Sequence, residues 1–143
     1  MMTGNKLERL PDWRPRLSVY LNQVARAKFR PGQHDCALFA AGAVAAMTGF
    51  DLAAEYRGSY RTLDQGHEVL QAQGFADHIA LAESLFNAVA PALAQVGDLA
   101  VMPSDVEGER GALGVFQGAG VYMLRPSGLV VADRLTVEGA FAV

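Results

Sequence analysis

The first half of the chain carries the apolar spacing of helices. Over residues 14–28 apolar positions recur every three or four residues, and Asp12 stands before them as a capping residue. Residues 36–47 are almost wholly apolar and are followed by Gly49, which suits the left-handed position after a helix. A helix without a polar face has to be surrounded by protein, so residues 36–47 predict a buried central helix. This helix is too short to span a membrane.

Two shorter helices are expected to follow this central one. Residues 50–61 predict a short helical turn and then an irregular exposed loop, because apolar spacing is lost there. Residues 62–73 open with Thr and, three positions later, Gln, which is the capping-box pattern of a helix start. Asp77 marks the start of one more short helix over residues 78–84.

The second half of the chain changes to the pattern of β-strands. Short apolar runs separated by turn residues predict a hairpin around Gly118 and further strands on both sides of it. The predicted strands cover residues 97–103, 112–117, 119–124, 128–132 and part of 135–143. Helices first and an antiparallel meander second predict an α+β class, with N-terminal helices packed on a small C-terminal sheet. Residues 1–11 are expected to form a loose leader, and residues 12–143 a single domain.

Composition and charge narrow the classes of function. Apolar residues make up 51% and charged residues 19% of the 143 positions, which is typical of a folded globular protein. The net charge of −3 without a basic cluster argues against nucleic-acid binding. The first residues lack the apolar stretch of a signal peptide, so we expect synthesis in the cytoplasm without export. No cofactor motif occurs, and a His-Asp-Cys run has no recognised metal-ligand spacing, so neither cofactor nor metal is predicted.

The candidate chemistry centres on Cys36, the only cysteine of the chain. It follows a Pro-Gly turn and lies in the first turn of the predicted buried helix, where the positive end of the helix dipole favours a thiolate. Two interpretations stay open. A free cysteine can simply pack in the core, or it can be a nucleophile, which needs partial exposure and a base nearby.

Three histidines could in principle supply that base. His34 lies two residues before the cysteine, so its ring could approach the sulfur, although capping the helix in place of Asp35 or binding a backbone carbonyl is an equally local role. His67 has helical spacing with neighbouring leucines and is expected to be a half-buried packing residue. His78, in the first turn of a short helix, is expected to be exposed. His34 is therefore the only near candidate.

Several motifs resemble those of NlpC-type cell-wall cysteine peptidases, which have a papain-like fold. Residues 32–39 (GQHDCALF) are similar to their nucleophile motif W-G-x-x-D-C-S-G-F. Residues 97–101 (GDLAV) and 111–118 (GALGVFQG) are similar to their G-D-L-V-F and G-H-V-G-I-Y-L-G strands. Residues 12–143 also resemble, in order and spacing, an uncharacterised family encoded in phage tail modules. In that family G-x-H-D-C is followed by R-G-x-Y-R-T, found here at residues 57–62.

The resemblance assigns expected roles to the motif positions. Cys36 is the nucleophile position, and Gly32, Asp35, Gly97 and Asp98 are motif positions with structural roles. Asp98, beside a glycine and before a strand, is expected to make a turn hydrogen bond rather than to take part in acid–base chemistry.

The resemblance also shows a mismatch at the base. The histidine of the peptidase motif is replaced by Ala112, and the residue that orients it is replaced by Leu124. Alkyl groups can neither accept the thiol proton nor hold an imidazole, and residues of such a unit act together. The resemblance therefore implies a papain-like fold and argues against retained activity.

Three functions follow as hypotheses. The favoured one is a structural or assembly component of the virion tail or its tip, a pseudoenzyme whose partners are other tail proteins. The second is an active cysteine peptidase or amidase that cleaves host peptidoglycan peptides during genome entry, with His34 as its base. The third is a non-catalytic module that binds a peptide or glycan in the former cleft.

Overall fold

The computed structural model describes residues 7–104 and 110–143, and it confirms the α+β class. In these residues four α-helices precede a six-stranded antiparallel sheet. The helices are α1 (Trp13–Val24), α2 (Cys36–Thr48), α3 (Leu63–Ala72) and α4 (His78–Leu85). The strands are β1 (Asn87–Val89), β2 (Leu99–Met102), β3 (Ala112–Gln117), β4 (Gly120–Arg125), β5 (Gly128–Asp133) and β6 (Gly139–Ala142). Their order across the sheet is β1-β6-β2-β3-β4-β5.

The apolar run predicted as the central helix is α2, and it is the centre of the core. Phe39 and Met47 are fully buried on it, and they share one cluster with α1 and with the helix-facing side of β3. Gly49 ends the helix with a left-handed φ of +85°, and its N–H donates to the carbonyl of Ala45 at 2.8 Å. Strand residues alternate in direction, so Phe116 and its neighbours form a second cluster, separate from that of α2.

The first helix differs from its prediction at both ends. Asp12 makes no capping hydrogen bond and instead pairs with Arg16, one turn along the helix, at 2.8 Å. The helix ends at Val24 rather than near residue 28, because the carbonyl of Ala25 accepts a hydrogen bond from Leu129 N–H of β5. A contact across 104 positions of chain thus ends a helix that its own spacing would continue.

The chain ends are joined to the sheet at Asp98, which is 5% exposed. Its carboxylate accepts hydrogen bonds from the backbone N–H groups of Gln95 and Val143 and from the guanidinium of Arg9. The expected turn hydrogen bond of Asp98 is confirmed by the contact with Gln95. Within the predicted leader, Leu10 N–H donates to the carbonyl of Met47 at 2.7 Å, so the packed domain includes residues 7–11.

The sheet contains one short strand that the sequence did not predict. The short edge strand β1 was not predicted, because its three residues give too little alternation; it pairs with β6. Across the described ranges, no helix is long and apolar enough to cross a lipid bilayer.

Candidate functional site

Cys36 is the first residue of α2, and the loop before it is held by Asp35. The carboxylate of Asp35 accepts from Leu38 N–H at 3.0 Å, which caps the helix, and from Gly32 N–H at 3.1 Å, which closes the turn. Asp35, rather than His34, is therefore the capping residue. Asp35 is 3% exposed, whereas Cys36 is partly exposed. The partial exposure satisfies one requirement of a nucleophile.

The segment over residues 57–62 packs against this loop. Gly58 N–H donates to the carbonyl of Gly32 at 2.8 Å, and the Tyr60 hydroxyl donates to Asp35. Burial, helped by the hydrogen bond to the Asp35 carboxylate, raises the pKa of Tyr60, so the hydroxyl remains a donor. Most of the segment is exposed, as expected, but Tyr60 is half-buried. The contact between the two motifs was not predicted, although their joint occurrence in one family resemblance was a signal for it.

His78 is brought to the sulfur of Cys36 by the start of α4. Asp77 caps this helix by accepting from Ala80 N–H at 2.7 Å, and His78 is its first residue. The Nε2 atom of His78 lies 3.8 Å from Sγ of Cys36 and 2.9 Å from the carbonyl oxygen of Gly111. The N-terminal ends of α2 and α4 therefore meet, one carrying a thiol and the other an imidazole.

The contact with Gly111 restricts the proton states of this pair. A carbonyl only accepts, so a hydrogen bond at 2.9 Å requires the proton to be on Nε2 of His78. In a neutral ring Nε2 then has no lone pair for the thiol proton. Two states remain chemically useful: the ring turns away from Gly111 and accepts the proton of Cys36, or the proton has already left the sulfur and Nε2–H lies between thiolate and carbonyl.

A negatively charged carboxylate lies beside His78. Burial would raise the pKa of Asp77, but hydrogen bonds from Arg110 and from the Ala80 N–H, and the charges of Arg110 and His78, outweigh it and lower that pKa. Arg110 donates to Asp77 at 2.9 and 3.1 Å and also reaches Glu83 at 3.0 Å. Asp77 is thus an ionised carboxylate next to the imidazole ring of His78.

His34, the predicted base, and Leu124, at the motif position that orients the base, both pack against apolar side chains. His34 packs edge-on against Phe39, with ring centroids 6.2 Å apart, and burial lowers its pKa. Its Nε2 is buried and makes no hydrogen bond with any described residue. The structure brings His78, not His34, to the sulfur. Leu124 is 8% exposed and belongs to the apolar core, so it orients no polar group.

Ala112 begins β3, directly after the carbonyl that His78 contacts. His78 therefore reaches the backbone beside the position where the peptidase motif has its histidine. The expectation that His78 is exposed was wrong, because it is half-buried, and His67, expected to be half-buried, is exposed. A signal for His78 was present in the sequence: Asp77-His78 repeats the pattern of Asp35-Cys36, a capping aspartate followed by a reactive side chain.

A cavity of about 130 Å³ opens beside the thiol. Cys36, His78 and their two capping aspartates line it on one side. The rest of its wall is mainly apolar and comes from α2, α3, α4, β2, β3 and the segment between α2 and α3, with Leu52, Val44, Leu70, Leu81, Leu99 and Leu113 among its residues. Within the described residues no cluster of three or more His, Cys, Asp or Glu side chains could hold a metal ion. The arrangement offers a nucleophile, a proton carrier and an apolar space.

Comparison with known proteins gives a family without an assigned activity. A family model described as "Domain of unknown function (DUF6950)" matches residues 8–143. No curated protein matches the chain. The function has to be inferred from the site itself.

Proposed function

The chain belongs to the DUF6950 family, and we propose that it is a cysteine-dependent hydrolase that cleaves an amide or ester through a thioester on Cys36. The observation that carries the proposal is the 3.8 Å distance between Sγ of Cys36 and Nε2 of His78. The thiol lies at a helix N-terminus, which favours the thiolate. An imidazole within hydrogen-bond reach of a thiol is the geometric signature of an activated cysteine.

The proposed reaction has two steps. The thiolate of Cys36 attacks the carbonyl carbon, the bond to the leaving amine or alcohol breaks, and His78 gives its Nε2 proton to that leaving group. The neutral imidazole then takes a proton from water, which attacks the thioester; the acid leaves, and the thiolate and imidazolium are restored. The Gly111 carbonyl orients the ring, and Asp77 stabilises its positive charge.

His78 also removes the main argument for a pseudoenzyme. That argument rests on Ala112 and Leu124, which replace the motif's base and its orienting residue. An imidazole supplied by α4 can perform the task that Ala112 cannot, without any change at β3. We accordingly propose a papain-like, NlpC-type fold, supported by a cysteine helix packed on an antiparallel sheet.

The setting in a virion tail is a separate proposal, and it rests on the resemblance to tail-module proteins. Other tail proteins would then be its partners, and host peptidoglycan a possible substrate. Electron microscopy of particles that lack the protein tests this setting. We expect incomplete or non-infectious tails, and intact infectious tails would contradict it.

One observation favours a second candidate, a binding module without turnover. The 2.9 Å contact with Gly111 fixes the proton on Nε2 of His78, so a neutral ring cannot serve as base in this position. If the ring stays neutral, the site binds a ligand beside Cys36 and does not cleave it.

Alkylation of Cys36 by iodoacetamide between pH 5 and 9 separates the two candidates. If the protein is a hydrolase, Cys36 should react rapidly at pH values well below the ordinary thiol pKa of about 8.5. His78→Ala should move the midpoint of the reaction towards that value. His34→Ala is the matched control, and it should leave the midpoint unchanged, because His34 packs against Phe39. An ordinary midpoint that His78→Ala does not move would overturn the hydrolase and favour the binding module.

A further inference from the structure

The cavity beside Cys36 follows one face of α2. Cys36, Ala40 and Val44 recur every four residues and all line it, so it accompanies the helix for two turns, about 12 Å. Ala37 and Ala41 line it as well. These small side chains leave the space open, and its inner end lies among buried core residues.

Its size fits a small apolar group. The volume of about 130 Å³ is close to that of an engineered apolar cavity of roughly 150 Å³ that stays dry and binds benzene. At its inner end Val44, Leu99 and Leu113 are 1%, 2% and 4% exposed, so a group placed there is removed from water. A group of about six carbon atoms would therefore gain the transfer free energy of its apolar surface.

The charged side chains around the cavity disfavour an anionic occupant. No lysine or arginine lines it in the described part of the chain, whereas the carboxylates of Asp35 and Asp77 do. Both carboxylates already accept hydrogen bonds, Asp35 from Tyr60 and Asp77 from Arg110. The imidazolium that we propose for His78 already faces the thiolate of Cys36, so a carboxylate on the substrate would lose its water here and compete with that thiolate for the same positive charge.

We propose that the acyl group transferred to Cys36 is uncharged and apolar, with about six carbon atoms, and that it occupies this cavity. The inference rests on the proposed hydrolase function and names its substrate class. Straight-chain acyl groups and the carbonyl side of a leucine- or phenylalanine-like residue fit it. Peptide donors that carry a free carboxylate next to the cleaved bond do not.

A series of p-nitrophenyl esters tests this class. Release of nitrophenol from the acetate, butyrate and hexanoate esters, and from the glutarate half-ester, is measured as kcat/KM after subtraction of the Cys36→Ala background. We expect hexanoate to exceed acetate by about tenfold or more, because each buried methylene adds to binding in the transition state. The glutarate half-ester, of comparable length but charged, should fall below butyrate.

Filling the cavity should remove the preference for the hexanoate ester over the acetate ester. Ala41→Leu extends a side chain into the space and should lower the ratio of kcat/KM for hexanoate to kcat/KM for acetate towards one. Ala46→Leu is the matched control, since Ala46 is also on α2 but lines a surface groove against α1. If Ala41→Leu does not fold, the ester series on the natural chain decides alone.

The outcomes separate the two proposals. Cys36-dependent release with acetate equal to or faster than hexanoate, or with the charged ester fastest, overturns the apolar acyl class and leaves the hydrolase standing. No Cys36-dependent release from any ester, together with an ordinary alkylation midpoint, overturns the hydrolase and this inference with it.

Discussion

Asp35 and Asp98 are equally buried carboxylates, 3% and 5% exposed, but they do different work in the fold. Asp98 accepts hydrogen bonds from Arg9, Gln95 and Val143, which come from both ends of the chain and from the turn beside it. Asp35 accepts from Gly32 on the loop before α2, from Leu38 in the first turn of α2 and from Tyr60, which packs against that loop.

The surroundings of the two carboxylates differ more than their burial. The region around Asp98 joins Arg9 and Val143 to the sheet. Burial lowers the pKa of Arg9, although the charge of Asp98 opposes this. The region around Asp35 borders the cavity and positions the thiol of Cys36. The same residue type at the same burial thus serves stability in one place and the geometry of a site in the other.

The largest effect is expected in the region around Asp98. Asp98→Ala leaves the Arg9 guanidinium largely buried without its counter-charge, and we expect a loss of about 3 to 4 kcal/mol in the free energy of unfolding. Urea denaturation measures this loss. The alkylation rate of Cys36 in the remaining folded protein should be unchanged.

Asp12→Ala is the matched control for this change. It breaks the ion pair with Arg16, in which both side chains are more than half exposed, and it should not change stability measurably. If Asp98→Ala alters the reactivity of Cys36 under conditions where the protein is fully folded, the surroundings of Asp98 and Asp35 are coupled. That result would contradict their separate roles in stability and in the site.

A smaller effect is expected where the loop before α2 meets residues 57–62. Gly32 has a φ of +79°, and a Cβ atom there would lie 1.8 Å from the carbonyl oxygen of Tyr60. Gly32→Ala should lower the free energy of unfolding by about 2 to 3 kcal/mol, from overlap and left-handed strain together. It should also change the alkylation rate of Cys36.

Gly58→Ala isolates the strain from the overlap. Gly58 has a nearly equal φ of +76°, but nothing lies within 4 Å of its added Cβ. We expect a loss of about 1 kcal/mol and an unchanged alkylation rate. Equal effects of the two variants on Cys36 would show that the contact with Tyr60 does not position the thiol.

Removing single tyrosine hydroxyls also tests whether the contacts around Asp35 influence the thiol of Cys36. Tyr60→Phe removes the donor to Asp35 and should cost about 1.5 kcal/mol. Without this donor the negative charge of Asp35 is less neutralised. It then repels a thiolate on Cys36 more strongly, so the pH midpoint of alkylation rises. Tyr20→Phe removes a bond of 2.8 Å to the carbonyl of Phe39 and should cost about 1 kcal/mol without moving that midpoint. A midpoint that stays in place in both variants would contradict the role given to Tyr60.

The sequence was informative for most of the structure that is set within a few residues, the capping bond expected of Asp12 being an exception. The wholly apolar run predicted α2, because such a helix is stable only when surrounded by protein. The caps at Asp35, Thr62 and Asp77 were predicted from local spacing, and each accepts the expected backbone hydrogen bond. Each of these features is decided by one turn of chain.

The features that the sequence did not predict depend on contacts across the fold. Cys36 and His78 are 42 positions apart, and their approach depends on how α4 packs beside α2. The end of α1 depends on a hydrogen bond to β5. The mismatch with the peptidase motif at Ala112 was visible in the sequence, but the approach of an imidazole from another helix was not. A one-position mismatch in a motif therefore shows a change of residue, and the structure shows which other side chains reach the site.

The smallest predicted effect concerns His34, whose pKa is lowered mainly because the ring is buried. The ring stays neutral in the folded protein at pH values where the unfolded chain, with an ordinary value of about 6.5, already binds a proton. This contribution to stability is fully present above about pH 6.5 and is lost as the pH falls through the lower, folded value. The free energy of unfolding should thus decrease less in His34→Gln than in the natural chain between about pH 7.5 and about pH 5. His67→Gln, at an exposed position, should follow the natural chain. Identical pH slopes for all three proteins would show that His34 gains no proton on unfolding, and a midpoint of Cys36 alkylation moved by His34→Gln would place His34 in the site after all.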